Sequence, residues 1–179
     1  MPAANIQSHP IGVSRFRGRL RTPSALLLLG ILVAAVVLRA YWISHHPTLM
    51  IGVDHLRIAE NLLNRGSYVG LFEGPELVTP PFFPVLLAVS SLFVGSVQGA
   101  AHVVALVAGV LLVPIAFVLA RFIYGARVAL AIAALIALDP VLIELSSTAL
   151  SETVYLPLML AGFYLALRTL DVGSAATTV

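Results

Sequence analysis

Four apolar runs, each approaching the thickness of a membrane, most constrain what this chain can fold into. They cover residues 23–43, 98–122, 128–145 and 153–170. A helix rises about 1.5 Å per residue, so about 20 apolar residues cross about 30 Å of hydrocarbon. Charged residues make up only 10% of the chain, against about 25% in soluble domains. We therefore predict an all-α integral membrane protein with about four transmembrane helices.

One polar stretch, residues 51–84, separates the first two runs. It holds four of the eight carboxylates and four of the eleven prolines. Apolar residues recur there at helical spacing over 54–64, which predicts a short amphipathic helix, and Gly66 suits a C-terminal cap. The apolar segment 81–94 would rise only about 21 Å as a helix. We therefore predict that it lies in or dips into the outer interface, within an external loop over 45–97.

The arginines set the predicted orientation. Four of the ten lie in residues 1–22, and the positive-inside rule places such a tail in the cytoplasm. If segment 81–94 does not cross, Arg121, Arg127 and Arg168 fall on the same side, as the rule favours. We therefore expect both termini in the cytoplasm and the polar loop outside, in a multi-pass plasma (inner) membrane protein.

The chain divides accordingly into three parts. Residues 1–22 form a basic tail, predicted to be disordered apart from its last few residues. Residues 23–170 form the membrane domain, and residues 171–179 form a small polar tail.

Several kinds of chemistry have no support in the sequence. The chain has no cysteine, which excludes disulfides and thiolate sites. There is no basic patch interleaved with aromatic residues, so no nucleic-acid partner is expected. Neither a GxSxG elbow nor a phosphate-binding glycine loop occurs. The adjacent His45 and His46 do not face each other on a helix, and no metal site is predicted.

Five segments recur in the order of a known family. They are LRAYW, VDHLRIAENLLNRGSY, TPPFFPVLLAVSSLFVG, ARFIYGARVALAIAAL and LDPVLIELSSTALSETVYLPLMLAGFYLAL. Together they cover about residues 39–170. The pattern resembles the N-terminal part of GT-C glycosyltransferases that use polyprenyl-phosphate sugars, in the branch of protein O-mannosyltransferases, aminoarabinose transferases and RgtA/B/C/D-like enzymes.

This resemblance implies the GT-C N-terminal module and an inverting transfer from a polyprenyl-phosphate-sugar donor, a substrate rather than a cofactor. Asp54 matches the family's general base, which acts on the acceptor hydroxyl. Arg39 matches a family arginine near the outer end of the first span. With Arg57, His102 and Glu152 it completes the residues predicted to bind the leaving lipid phosphate or line the site. Need for a divalent metal is left open.

The sequence departs from the family pattern at three positions. His55 follows Asp54 where many relatives have glutamate, and Thr79 stands where some have glutamate. His102 stands where arginine is common. Relatives also have many more spans and an external C-terminal region. We therefore expect a missing C-terminal half or a second chain as a partner, besides the lipid-linked donor and membrane lipids.

Each candidate residue also has a structural interpretation. Asp54 begins the predicted helix 54–64, where aspartate is a favoured N-cap. Arg39 fits an arginine that extends to the interface. His102 fits an interfacial histidine with its polar atoms satisfied. Glu152 fits the first turn of the last helix, where the macrodipole favours a carboxylate.

A second function fits the same composition. A non-catalytic polytopic module, or a small transporter-like subunit, needs only the apolar helices. A transporter should carry ionisable residues at mid-membrane, whereas the carboxylates here gather at the predicted outer ends. That distribution favours surface chemistry and an enzyme.

Overall fold

The computed structural model describes residues 22–46, 52–71 and 76–176, with side chains to residue 171. These ranges contain no β-strand, so the predicted all-helical class is confirmed for them. The basic tail 1–21 and residues 177–179 lie outside the described ranges. The helices are α1 (Thr22–His45), α2 (Val53–Arg65), α3 (Phe82–Val94), α4 (Val97–Tyr124), α5 (Ala126–Leu138), α6 (Pro140–Leu145) and α7 (Glu152–Ala176).

Three of these helices are long and apolar enough to cross a membrane. They are α1, α4 and the Glu152–Asp171 part of α7. The predicted spans 23–43, 98–122 and 153–170 fall on them. These three helices support the predicted membrane class. Pro114 and Pro157 lie inside α4 and α7 without ending either helix.

The fourth predicted span, 128–145, is not one helix. The chain breaks at Asp139, whose backbone is extended, between α5 and α6. Pro140 is the reason, because proline lacks an N–H and disfavours the helical conformation of the residue before it. At 13 residues, α5 rises about 20 Å. Four long spans are therefore not confirmed.

The bundle is built around α4, which packs against α1, α3, α5 and α7. One buried apolar cluster joins α2 and α3 to the start of α4 and to the link between α6 and α7. It contains Ala59, Phe83, Leu87, Ala101 and Ala149. A second cluster joins α1 and α5 to the later part of α4. It contains Ala35, Val113, Phe117, Ala129 and Ala133.

These clusters define two ends of the molecule. We call the end that carries α2, α3 and the α6–α7 link the loop end. The turn between α4 and α5, with Arg121 and Arg127, marks the arginine end. Ala149 packs with Phe83, so α5 and α6 together return the chain to the loop end. From there α7 runs back, and its Tyr164 ring contacts Phe122 edge-on at 5.8 Å.

The amphipathic helix predicted at 54–64 is α2. Gly52 is its N-cap, with φ of 89° and no side-chain hydrogen bond. A Cβ atom at Gly52 would also overlap the Ala149 carbonyl. Asp54 therefore lies in the first turn, and its interpretation as the N-cap is wrong. Gly66 is confirmed as the C-terminal cap, because its N–H donates to the Leu62 carbonyl at 3.1 Å.

The predicted interfacial helix 81–94 corresponds to α3. It begins one residue later, at Phe82, and ends at Val94 before Gly95. Its Phe83, Pro84 and Leu87 are buried against the bundle. The other face of α3 is apolar and exposed. Its placement in a membrane interface stays a prediction.

Candidate functional site

The loop end brings together three ionisable residues from two helices. Asp54 is exposed on the first turn of α2, and Glu152 is exposed at the start of α7. Both carboxylates interact electrostatically with the ring of His55 and favour its charged form. The His55 ring meets Phe83 of α3 edge-on, with centroids 5.0 Å apart. We call Asp54, His55 and Glu152 the acidic patch.

Burial decides the charge of His55. Its ring is partly buried, and its Nδ1 atom has no hydrogen-bond partner among the described residues. Burial lowers the pKa of His55 below the ordinary value of 6.5, whereas the Glu152 and Asp54 carboxylates act in the opposite direction. The net shift is downward, because the desolvation of the charged ring outweighs attraction across a partly exposed surface. His55 is therefore neutral near pH 7.

A cavity opens beside the acidic patch, between the starts of α3 and α7. Its volume is about 460 Å³, within the range of small-molecule sites. We call it the mouth. Its lining is mostly apolar and aromatic, with one carboxylate. It consists of Pro80, Phe82, Phe83, Ser151, Glu152, Val154, Tyr155 and Leu158.

The connection between α2 and α3 is fixed by side-chain hydrogen bonds. Asn61 donates to the Val69 carbonyl at 2.7 Å, and Tyr68 donates to the Thr79 carbonyl at 2.7 Å. The Glu76 carboxylate accepts from the backbone N–H groups of Val78 and Thr79. These backbone bonds lower the pKa of Glu76. The described parts of this loop, residues 66–71 and 76–81, are therefore held in place beside the mouth.

Arg39 lies away from the acidic patch, inside the bundle. Its side chain is fully buried, and its guanidinium donates to four acceptors. They are the Ser146 Oγ atom at 3.1 Å and the carbonyls of Ala35, Ala137 and Ile136 at 3.3, 3.2 and 3.1 Å. Its predicted phosphate contact stays a prediction, and a phosphate would have to replace some of these partners.

The break between α5 and α6 explains why an arginine is needed there. Pro140 has no N–H for the Ile136 carbonyl. The Val141 N–H donates to the Asp139 carboxylate at 2.8 Å, so it does not donate to the Ala137 carbonyl as it would in an unbroken helix. Arg39 supplies donors to both carbonyls. Asp139 also attracts the guanidinium. Arg39 is thus a side-chain cap for the end of α5.

Close packing around this cap depends on Gly109 of α4. A Cβ atom there would overlap the Ser146 hydroxyl and come within 3.1 Å of the Arg39 Nε atom. Ser146 is fixed in turn, because its hydroxyl donates to the Leu142 carbonyl at 2.8 Å. Four elements therefore meet at one buried cation.

The two remaining candidates lie at the surface of α2 and near the start of α4. Arg57 is exposed and pairs with Glu60 at 3.3 Å. Arg57 can exchange Glu60 for another anion at little cost, since exposed ion pairs contribute little to stability. The His102 ring is partly buried, and its Nε2 atom has no hydrogen-bond partner in the described part of the chain. Roles in phosphate binding stay predictions for both residues.

Sequence reasoning missed His55, Phe83 and Tyr155 as parts of the loop-end site. No local signal places the α6–α7 link beside the start of α2, since Ala149 and Gly52 are far apart in sequence. The cap role of Arg39 did have a signal. An Asp-Pro pair inside an apolar run leaves carbonyls without donors, and a charged side chain elsewhere in the membrane domain can supply them.

Within the described ranges, no group of three or more histidine, aspartate or glutamate residues is arranged to hold a metal ion. Comparison with known proteins adds no further constraint on the site. No family model, curated protein or solved structure matches the chain.

Proposed function

We propose that this chain is the N-terminal part of an inverting membrane glycosyltransferase that takes its sugar from a polyprenyl-phosphate donor. The observation that carries the proposal is the acidic patch. Asp54 is an exposed carboxylate at one end of an apolar helix bundle, and both it and Glu152, which lines the mouth, act electrostatically on His55. A base at the membrane surface suits an acceptor hydroxyl that approaches from water.

The proposed reaction needs little covalent chemistry from the protein. Asp54 takes the proton of the acceptor hydroxyl as the oxygen attacks the anomeric carbon from the face opposite the phosphate. The bond to the lipid phosphate breaks, and the configuration inverts. A phosphate is already a good leaving group, so a positioned base and nearby positive charge are sufficient.

Arg57 is the cation best placed to help the leaving phosphate. It lies one turn after Asp54 on α2 and is exposed. The guanidinium fork can exchange the Glu60 carboxylate for a phosphate with similar geometry. Arg39 is less available, because its donors are used inside the bundle. The outer side of the membrane is the proposed location of this site, and it rests on the positive-inside rule.

Asp54→Asn tests the proposal. The variant and the wild type are reconstituted in vesicles as the full-length protein. They are assayed with a panel of undecaprenyl-phosphate-linked hexoses and pentoses in which the sugar is tritiated. We expect transfer to fall by about 10²–10⁴-fold, the usual contribution of a general base. Glu60→Gln is the matched control, because it changes another exposed carboxylate of α2. Transfer at the wild-type rate by Asp54→Asn would refute the assignment.

A non-catalytic polytopic module is the second candidate. Arg39 favours it, because a buried intramembrane cation that joins four elements serves assembly and not chemistry. This candidate predicts no transfer from any donor in the panel, and equal stability and membrane insertion of wild type and Asp54→Asn.

A further inference from the structure

Three adjoining apolar cavities follow α7, starting at the mouth and continuing between α4 and α7. The mouth shares Val154 and Leu158 with a second cavity of about 320 Å³. That cavity shares Ile115 and Ala161 with a third of about 210 Å³. The shared lining residues show that the three cavities adjoin along one face of α7, and we call them together the groove.

The length of this groove matches one hydrocarbon chain. Along α7 it extends from Glu152 in the mouth to Tyr164 in the third cavity. Twelve helical residues rise about 18 Å. One leaflet of a bilayer contains about 15 Å of hydrocarbon. The second cavity has no polar lining and runs between two helices that are long enough to cross a membrane.

The head of the groove has the chemistry of a cation site. Among the described residues that line its three parts, Glu152 is the charged side chain, and none is an arginine. Phe82 and Tyr155 are 61% and 60% exposed and present accessible rings in the mouth. Aromatic rings attract ammonium groups over their faces. Asp54, exposed on the first turn of α2, adds negative charge at the same end of the bundle.

We propose that this groove binds a cationic single-chain amphiphile. The ammonium head lies in the mouth with Glu152 and the aromatic rings, and the hydrocarbon chain lies between α4 and α7. An anionic sulfate head has the wrong sign of charge for this mouth, and the lipid phosphate of the proposed transferase is assigned to Arg57, which does not line it. The inference goes beyond the proposed transferase activity, because binding requires no sugar transfer.

Binding of matched probes to the full chain in nanodiscs tests the head group. The probes are radiolabelled dodecyltrimethylammonium and dodecyl sulfate, below their micellar concentrations. We expect saturable binding of the ammonium probe with a lower Kd than that of the sulfate probe. Tyr155→Ala should raise the Kd of the ammonium probe about two- to fivefold, and Glu152→Gln should raise it by a similar factor. Equal or tighter binding of the sulfate probe by the wild type would overturn the proposal.

A second pair of variants tests the position of the hydrocarbon chain. Ala161→Trp fills the groove where the second and third cavities meet. Leu165→Trp is its control, because Leu165 is 57% exposed on the same helix and lines none of the three cavities. We expect loss of saturable ammonium binding in Ala161→Trp only. Equal binding by the two variants contradicts the chain placement. The two head-group variants still decide the proposal if Ala161→Trp does not fold.

Discussion

At the scale of single residues, Arg39 is the charged side chain that is fully buried among the described residues. A guanidinium without solvent access survives in an apolar bundle only if its donors are used. Its partners lie 97 to 107 residues away along the chain, apart from the Ala35 carbonyl on its own helix. The residue therefore joins the first helix to the last turns of α5 and α6.

Replacing Arg39 tests this role. Arg39→Met keeps an apolar stem of similar length and leaves the Ile136 and Ala137 carbonyls without their donor. We expect the free energy of unfolding to fall by about 2–4 kcal/mol, because each buried unsatisfied group costs about 1–3 kcal/mol. Thermal loss of the monodisperse peak in detergent measures the effect. Arg57→Met changes an exposed arginine and should hardly change the temperature at which the peak is lost. Equal changes of this temperature in both variants would contradict the cap role.

His55 makes the stability of the loop end depend on pH. Its pKa is lower in the folded protein than its ordinary value of 6.5. The unfolded chain therefore binds the proton first as the pH falls, and the folded state loses stability below about 6.5. Asp54 and Glu152 are the charged groups that act on the ring, and they reduce this loss without reversing it.

His55→Gln should flatten this dependence. We expect the wild type to melt at lower temperature at about pH 5.5 than at about pH 7.5, and the variant to show a smaller difference. Melting curves of both proteins at the two pH values measure it. His45→Gln is the control, since that histidine is exposed at the end of α1. An unchanged pH difference in His55→Gln would show that other groups are responsible.

At the scale of elements, the break between α5 and α6 is fixed by Asp139 as much as by Pro140. The Asp139 carboxylate accepts from the N–H groups of Val141 and Leu142 at 2.8 and 3.1 Å. This is an N-cap for a helix of only six residues. Proline ends one helix, and the carboxylate begins the next.

Asp139→Ala and Asp139→Asn separate the cap from the charge. Alanine removes the acceptor and should cost about 1 kcal/mol of stability. Asparagine keeps a capping oxygen and loses the attraction to Arg39. We expect melting temperatures in the order wild type, Asn, Ala. If both variants melt together well below the wild type, attraction to Arg39 and not capping is the main contribution of Asp139.

The helices were largely predictable from the sequence, and their junctions were not. Apolar runs of at least 18 residues define α1, α4 and α7, because length and hydropathy are local properties. The span predicted at 128–145 failed at Pro140, where an apolar run conceals a chain break. Asp54 was visible as a candidate, but its relation to Glu152 depends on how the α6–α7 link packs against the start of α2. The Asp139–Pro140 pair signals carbonyls without donors, but that Arg39 supplies these donors is visible only in the packed structure.

At the scale of the whole molecule, the arginines lie where the positive-inside rule predicts relative to the polar loop. Arg121 and Arg127 mark the end opposite α2 and α3, and α7 carries Arg168 toward that end. Because α5 and α6 return the chain to the loop end, their joint crossing of the membrane as a broken helix is a prediction. Their combined rise is about 29 Å.

Cysteine labelling tests this topology directly, since the chain has no native cysteine. Ser67→Cys and Ser151→Cys should react with a membrane-impermeant maleimide from the outside only. Arg127→Cys should react only from the cytoplasmic side. Labelling of Ser151→Cys from the same side as Arg127→Cys would show that α5 and α6 do not cross, and outside labelling of Arg127→Cys alone would reverse the orientation.

The cap at the end of α5 has a consequence for biogenesis. Helices leave the ribosome in order, so α1 enters the bilayer long before Ile136, Ala137 and Ser146 exist. Until then the Arg39 guanidinium has no acceptors on another helix, and a charged side chain without partners inside a span is unfavourable. The first helix therefore gains its full stability in the membrane only when the α5–α6 segment arrives. We therefore expect assembly of the bundle to be completed only after the α5–α6 segment has been made and can accept the hydrogen bonds of Arg39.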